Sequence, residues 1–294
     1  MFEVIGINMK KIVVRSNAKI NICLDITGKR EDGYHLLDMV MLPLELHDSL
    51  LLEETPKAVD NYITLDDFTI SESKFNSVTN ALDLLDEVHP LNTKFKIDLH
   101  KVIPMKAGLG GGSSNAAFIL KSICEYKKID LPKEEINKIA LKIGADVPFF
   151  IENKPARCKG IGENLIPINV KNDYYVLIVK PEKGCATEDV YRISDKKNNW
   201  PHGGVDAVVK ALEEGDDELL ANSIFNVLEE SSLELVPQIK TIKDEMIEQG
   251  LKIVSMTGSG SAVFALTTNK KLLKTATKYF EKKYDTVIVT RVLK

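Results

Sequence analysis

Four short stretches of this chain hold the residue types best suited to chemistry: Ala18-Lys19-Ile20-Asn21, the run from Pro104 to Ala117, Gly144-Ala145-Asp146-Val147-Pro148, and Thr257-Gly258-Ser259-Gly260. The second is the most informative. Gly108-Leu109-Gly110-Gly111-Gly112 places four glycines in five positions, then Ser113 and Ser114 lead into the helix-forming run Asn115-Ala116-Ala117-Phe118-Ile119-Leu120. Without side chains, the backbone N–H groups can turn inward around an anion. The helix start adds unpaired N–H donors and the positive end of a dipole. Ser113 or Ser114 can cap that helix and also reach a phosphate oxygen or its metal. The run reads as a phosphate cradle. It is not a Walker loop, because no lysine follows the last glycine, and it has Ser113 where a dinucleotide fingerprint needs glycine or alanine. Phosphoryl transfer needs that cradle, a cation, a carboxylate near the acceptor hydroxyl and an acceptor pocket. Lys19, Asp146 and the flanking polar residues supply the remaining types.

These residues must be positioned by strands and helices of both periods. β-branched runs at 11–14 and 20–26 predict two strands broken near Ser16-Asn17-Ala18-Lys19. Lys29-Arg30-Glu31-Asp32-Gly33-Tyr34-His35 predicts a polar turn, and 36–46 a long strand whose Pro43 suggests an edge or bulge. Short alternating pieces over 48–70 read as further antiparallel strands. Val78, Ala81, Leu82 and Leu85 recur at helical spacing, so 76–88 is an amphipathic helix. A strand over 95–102 enters the glycine run, a helix over 115–126 leaves it, and Pro132 opens a helix ended by Gly144. Asp146 then sits in a compact turn. Beyond about residue 165 come strands at 174–180, 253–256, 262–266 and 286–292, with helices at 204–213, 237–249 and 271–283. The mixture without a uniform βαβ rhythm suggests α+β layers, divided into residues 1–164 and 165–294.

Composition narrows the class. Hydrophobic residues make up 44% and charged residues 28%, ordinary for a globular protein, and the net charge of −4 argues against nucleic-acid binding by phosphate neutralisation. Cys23, Cys124, Cys158 and Cys185 are scattered, fit neither a zinc site nor a disulfide framework, and read as reduced thiols. No long apolar window suggests a membrane span, and Met1 to Ile7 lacks the features of a signal peptide. The expectation is a soluble, cytoplasmic protein acting on a small molecule, with no nucleic-acid or membrane partner.

In order and spacing, these motifs resemble the GHMP kinases (galactose, homoserine, mevalonate and phosphomevalonate kinases), which share an early Pro-Ala-Lys-Ile-Asn strand, a Gly-Leu-Gly-Gly-Gly-Ser-Ser loop and a late Thr-Gly-Ser-Gly turn. The resemblance runs from about Val13 past Leu266. It implies a two-domain fold, ribosomal S5 domain 2-like in the N-terminal part and ferredoxin-like in the C-terminal part, with the active site in the cleft between them. It also implies ATP as the phosphoryl donor and Mg2+ as its companion. By resemblance, Asp146 is the catalytic base, and Lys19 pairs with it and helps to orient the acceptor hydroxyl. Gly108, Leu109, Gly110, Gly111, Gly112, Ser113 and Ser114 form the ATP phosphate loop, and Asn21 binds the acceptor. Thr257, Gly258, Ser259 and Gly260 border the same site. The Asp32-Gly33-Tyr34-His35 segment is the most discriminating, since other branches of the family lack it. It implies that Tyr34, His35 and Tyr191 hold a cytidine end, so that the acceptor is the 2-hydroxyl of a methylerythritol carrying a cytidine diphosphate. That substrate belongs to non-mevalonate isoprenoid precursor synthesis.

Two departures from the family pattern stand out. Asn17 replaces the usual proline before the alanine, and Glu152-Asn153-Lys154-Pro155-Ala156-Arg157 replaces a Gly-Gly-Thr-Ala type segment. The metal ligands stay open. The alternatives are another small-molecule GHMP kinase of homoserine or mevalonate type, which needs no Asp-Gly-Tyr-His segment, and a nonenzymatic RNA-binding or regulatory relic, which the net charge disfavours.

Overall fold

A computed structural model of the chain describes residues 11–65, 68–69, 76–197 and 200–294. The opening Met1–Ile7 segment and parts of the 48–70 stretch lie outside them. The chain forms two compact units that interleave in sequence. One comprises Leu46–Ile103, Gly110–Asn153 and the residues up to Ala18; the other comprises Lys19–Glu45, Pro104–Leu109 and Lys154–Lys294.

Two long strands have residues in both units, β1 (Lys11–Lys29) and β2 (His35–Glu54), and they pair with each other. The expected break at residues 16–19 does not occur. Ser16, Lys19 and Asn21 are polar yet buried, so the residues that interrupt the apolar pattern mark a polar lining inside one strand. Pro43 lies between the part of β2 that pairs with β6 (Ala156–Gly160) over Leu37–Met41 and the part that pairs with β5 (Phe95–His100) over Ser49–Glu54. Its missing N–H therefore costs neither ladder a hydrogen bond.

The first unit continues with β3 (Tyr62–Leu65), β4 (Phe68–Thr69), α1 (Ser77–Val88) and β5, then α2 (Gly111–Lys127), α3 (Lys133–Ile143) and α4 (Val147–Glu152). Its strands run in the order β4-β3-β5-β2. Contrary to the uniformly antiparallel expectation, β3 pairs parallel with β5, the α1 crossover allowing that direction. Phe95, Ile97 and Leu99 alternate inward along β5, and the apolar stripe of α1 (Val78, Ala81, Leu82, Leu85) is likewise buried. Asn76 caps α1 by accepting from Val78 N at 2.9 Å. Most of α2 from Ser114 to Cys124 is buried, which makes it the central helix of the unit.

The second unit carries β2-β6-β7, with β7 at Asn164–Pro167, and then β8 (Tyr175–Lys180), α5 (Thr187–Lys197), α6 (Val205–Glu214), α7 (Asp217–Ser223), α8 (Glu229–Leu235) and α9 (Gln238–Glu248). It closes with β9 (Ile253–Met256), β10 (Val263–Thr267), α10 (Lys270–Phe280) and β11 (Thr286–Arg291). The last four-stranded sheet is antiparallel throughout, in the order β11-β8-β10-β9. That is the order of a ferredoxin-like split βαβ arrangement. Val176–Val179 are all fully buried, matching their unbroken apolar run. Among the described residues no helix is long and apolar enough to cross a membrane.

Candidate active site

Three motifs scattered through the sequence meet in the second unit. Asn21 N donates to Thr257 Oγ1 at 3.0 Å across a separation of 236 residues, and that hydroxyl donates onward to Gly108 O at 3.1 Å. Lys19 N donates to Leu109 O at 3.1 Å, so β1 is tied to the front of the glycine run at two points. Lys19 and Asn21 are only 3% and 2% exposed, and the lysine ammonium donates to the Asn21 amide oxygen. A buried ammonium with such polar company is a fixed positive charge aimed by its strand.

Gly108 (φ +75°) has no room for a side chain: a Cβ there would stand 2.0 Å from Thr257 O. Gly258 (φ +55°) would meet Gly108 O at 3.1 Å and Asn21 Oδ1 at 3.2 Å. These glycines let two backbone segments touch. Asn226 fastens the late turn by donating to Met256 O and Gly258 O, and Ser232 Oγ donates to Ser259 O. Thr187 Oγ1 and Ser259 Oγ lie 2.9 Å apart. Sequence reading missed Asn226 and Ser232, because nothing local distinguishes them from surface polar residues.

The back of the glycine run belongs to the first unit. Here the expected capping fails. The helix begins at Gly111, four residues early, with Gly110 in the left-handed region (φ +70°) as its N-cap and no side-chain cap bond. Ser114 is fully buried and donates to Asn17 O instead. Capping by Ser113 or Ser114 would need them ahead of the helix, whereas both lie inside its first turn. The uncapped N–H groups of that turn are the donors an anion needs. Asp48 sets the approach to the run: its buried carboxylate accepts from Val102 N and Ile103 N, each at 2.8 Å, and from Lys101 Nζ at 2.9 Å.

Asp146 stands at the start of α4, half-buried, as the N-cap residue whose side chain does not cap the helix. What reads as a compact turn is two residues of turn, Ala145 and Asp146, followed by this short helix. A Cβ on Gly144 would lie 3.8 Å from Ser113 Oγ, so the turn carrying Asp146 borders the first turn of α2. Lys19 and Asp146 belong to different units.

The two departures in sequence touch each other. Asn153 (φ +50°) ends α4 and donates its amide to Asn17 Oδ1 at 3.1 Å. The segment that lacks the usual glycines and the position that lacks the usual proline are thus coupled in one hydrogen bond.

A second polar and aromatic group lies wholly in the second unit. A pocket of about 850 Å³ is lined by Tyr34, His35, Tyr191, Arg192 and Asp195 among others. His35 stacks on Tyr191 with ring centroids 4.7 Å apart, and Trp200 meets the imidazole edge-on at 5.8 Å. Tyr34 is 56% exposed, leaving its ring open. Burial alone would raise the Asp195 carboxyl, but hydrogen bonds from Lys29 and His35 hold it below the usual range. Asp195 and Trp200 were not singled out from the sequence. The signal was available: Thr187, Tyr191 and Asp195 recur every four residues, one face of a helix.

All four cysteines are buried and free. Burial pushes the Cys23 thiol up to about 12 and Cys124 to about 11, so neither is a nucleophile near neutral pH. Among the described residues no group of three or more His, Cys, Asp or Glu could hold a metal ion.

The sequence matches the model for the GHMP kinases N terminal domain over residues 76–154 and that for GHMP kinases C terminal over 208–286. It is 37% identical over 279 residues to a 4-diphosphocytidyl-2-C-methyl-D-erythritol kinase of Clostridium novyi (strain NT), covering 95% of this chain and 99% of that one. A protein of the same name from Clostridium botulinum (strain Kyoto / Type A2) is 36% identical over 280 residues, with the same coverage. Among solved structures, a 4-(cytidine 5'-diphospho)-2C-methyl-D-erythritol kinase superposes with a TM-score of 0.78 at 29% identity, over 95% of this chain and 98% of that one. Homoserine kinase from Cytophaga hutchinsonii superposes with a TM-score of 0.76 at 18% identity, over 98% and 96% of the two chains, which speaks for the fold alone. The chain belongs to the GHMP kinase family, as a small-molecule kinase that groups with the 4-diphosphocytidyl-2-C-methyl-D-erythritol kinases.

Proposed function

We propose that this kinase transfers the γ-phosphate of ATP to the 2-hydroxyl of 4-diphosphocytidyl-2-C-methyl-D-erythritol, within non-mevalonate isoprenoid precursor synthesis. The observation that carries the reading is identity of 36–37% along 95% of the chain with relatives of that name. The aromatic pocket supports it, since a nucleoside base needs flat rings to stack on and each such stack is worth roughly 1–3 kcal/mol.

In this reading the donor's phosphates lie against Gly108–Ser114, where open N–H groups and the helix dipole favour negative charge. Mg2+ accompanies ATP and offsets charge between its phosphates; it takes oxygen ligands, largely phosphate and water, and the half-buried Ser113 hydroxyl is the protein oxygen at the helix start suited to join them. Ser114 is less suited, because its hydroxyl is already bonded to Asn17 O. Asp146 orients the acceptor hydroxyl. As the bond from that oxygen to phosphorus forms and the bond to the departing ADP oxygen breaks, the proton passes to the Asp146 carboxylate. Phosphoryl transfer is loose, so orientation matters more than early deprotonation. Lys19 supplies positive charge beside the reacting groups, and Asn21 holds an acceptor hydroxyl. Thr257, Gly258, Ser259 and Gly260 keep Gly108 and Asn21 in register and border the acceptor. Tyr34, His35 and Tyr191 take the cytidine end. The imidazole already covers one face of Tyr191.

The test is ATP consumption by purified protein with the cytidyl diphosphate acceptor, homoserine or mevalonate. Turnover is expected with the first only; equal turnover with the others, or none with any, would refute the acceptor. Asp146→Asn should lower kcat by about 10²–10⁴-fold, the usual worth of a positioned acid–base group, while ATP binding is retained. An active variant would remove Asp146 from the reaction.

A further inference from the structure

Three side chains enclose the His35 imidazole. Asp195 Oδ1 lies 2.6 Å from its Nε2, Tyr191 covers its face, and Trp200 meets its edge. All three come from α5 or the residues just after it. The other carboxylate oxygen of Asp195 accepts from Lys29 Nζ at 2.7 Å, so α5 is joined to the end of β1 and the start of β2. The imidazole side chain is 9% exposed and follows directly on the polar turn at 30–34, which is closed by Arg30 N donating to Tyr34 O and Gly33 N donating to Arg30 O. The clamp holds from the α5 side a ring that the turn holds only through its backbone.

The bond also fixes a chemical choice. In a neutral imidazole, a carboxylate on Nε2 places the single ring proton there and leaves Nδ1 as an acceptor. Cytosine offers an amine donor on its pairing edge where uracil offers a carbonyl acceptor. A ring held in one tautomer can tell these apart; one free to switch cannot.

We propose that Asp195 is a positioning residue of this pocket: it fixes the place and tautomer of His35, and through them the preference for a cytosine over a uracil base. The proposal rests on the reading that the pocket takes the cytidine end of the acceptor. Asp195 touches no reacting atom, and its effect falls on acceptor binding.

Trp200 is the one tryptophan in the chain and reports on His35 directly. Its fluorescence is titrated with CDP and with UDP in the wild type, His35→Ala, Tyr191→Ala, Asp195→Ala and the isosteric Asp195→Asn. The wild type should favour CDP by about 10-fold or more, equivalent to roughly 1.4 kcal/mol. Asp195→Ala should lose most of that preference and raise the acceptor KM by about as much, with kcat and the ATP KM unchanged. Asp195→Asn should fall between, and serves alone if the alanine variant does not fold. In the 15N spectrum of the wild-type ring, Nε2 should carry the proton and Nδ1 should be bare. An Asp195→Asn variant with wild-type selectivity and acceptor KM overturns the proposal, as does a wild-type ring protonated on Nδ1 alone. If His35→Ala and Tyr191→Ala weaken CDP binding but both Asp195 variants do not, only the positioning role fails. If no variant weakens CDP binding, the cytidine reading fails with it.

Discussion

Thr257→Val tests the join between the early and late motifs. The substitution keeps the shape of a fully buried side chain and removes one hydroxyl. That hydroxyl accepts from Asn21 N at 3.0 Å and donates to Gly108 O at 3.1 Å, so its loss strips a partner from the buried Asn21 N–H and from the half-buried Gly108 carbonyl. Each unsatisfied group costs about 1–3 kcal/mol, giving about 2–6 kcal/mol in all. Against a total stability of about 5–15 kcal/mol this is severe. With a urea slope of about 2 kcal/mol per M, the unfolding midpoint should fall by about 1–3 M. Thr257→Ser keeps the oxygen and loses only a methyl, worth about 1 kcal/mol, so it should restore most of the stability. Activity of the folded Val variant should drop as well, because Asn21 and Gly108 lose their common tether. The measurements are urea unfolding and kcat/KM for the three proteins. A Val variant within about 0.5 kcal/mol of wild type, below the cost of even one orphaned group, would refute the reasoning, as would a Ser variant no better than Val.

Gly184→Ala should raise the ATP KM and cost about 1–3 kcal/mol by overpacking, because a Cβ there stands 2.6 Å from Lys106 Cβ and 2.9 Å from Lys106 O, the carbonyl that binds Cys185 N and Ser261 N; an unchanged KM and melting temperature would show that the loop gives way freely. Asn153→Gly should lie within about 1 kcal/mol of wild type in the same urea assay, since relief of the left-handed backbone and of the buried unpaired Asn153 Oδ1 offsets the lost bond to Asn17. Acid should destabilise the protein only at low pH. Burial raises Asp86 and Asp98, but hydrogen bonds from Lys94 and the Leu91 N–H, and from Thr64 and Lys96, hold both carboxyls below their ordinary 3.8. A depressed carboxyl contributes stability that is present above 3.8 and lost as pH falls through the lowered value, so these pairs predict a melting temperature that declines below about pH 4 and not at pH 5–6. A decline beginning near pH 6 would assign acid sensitivity to other groups.

The local signals were legible where one period dominates over a full element. The apolar stripe of α1, the alternation of Phe95, Ile97 and Leu99, and Pro132 and Gly144 bracketing α3 all depend on neighbours within a turn or two. The reading failed where distant contacts override local preference. Ser16, Asn17 and Lys19 look like a strand break, yet Ser16 donates to Asn115 and the Lys19 backbone to Leu109, so the polar residues are paid for inside a continuous strand. The start of α2 at Gly111 runs against glycine's low helix propensity. Crowding favours glycine there all the same: a Cβ on Gly111 would lie 3.0 Å from Lys101 Nζ and 3.2 Å from Ile103 Cγ2.

The sequence by itself determined the chemistry on offer: a glycine run without a Walker lysine, a carboxylate in a tight turn, a strand lysine, and a Tyr-His pair after an Asp-Gly turn. Residue type and short spacing fix those properties, and they suffice to propose a phosphate cradle. Only the tertiary structure decided which groups are committed and to what. It spent the Ser114 hydroxyl on Asn17, joined Asn21 to Thr257 and Gly108, and set Asp195 on His35. A hydrogen bond depends on distance in space, and a separation of 236 residues along the chain carries no local trace of it.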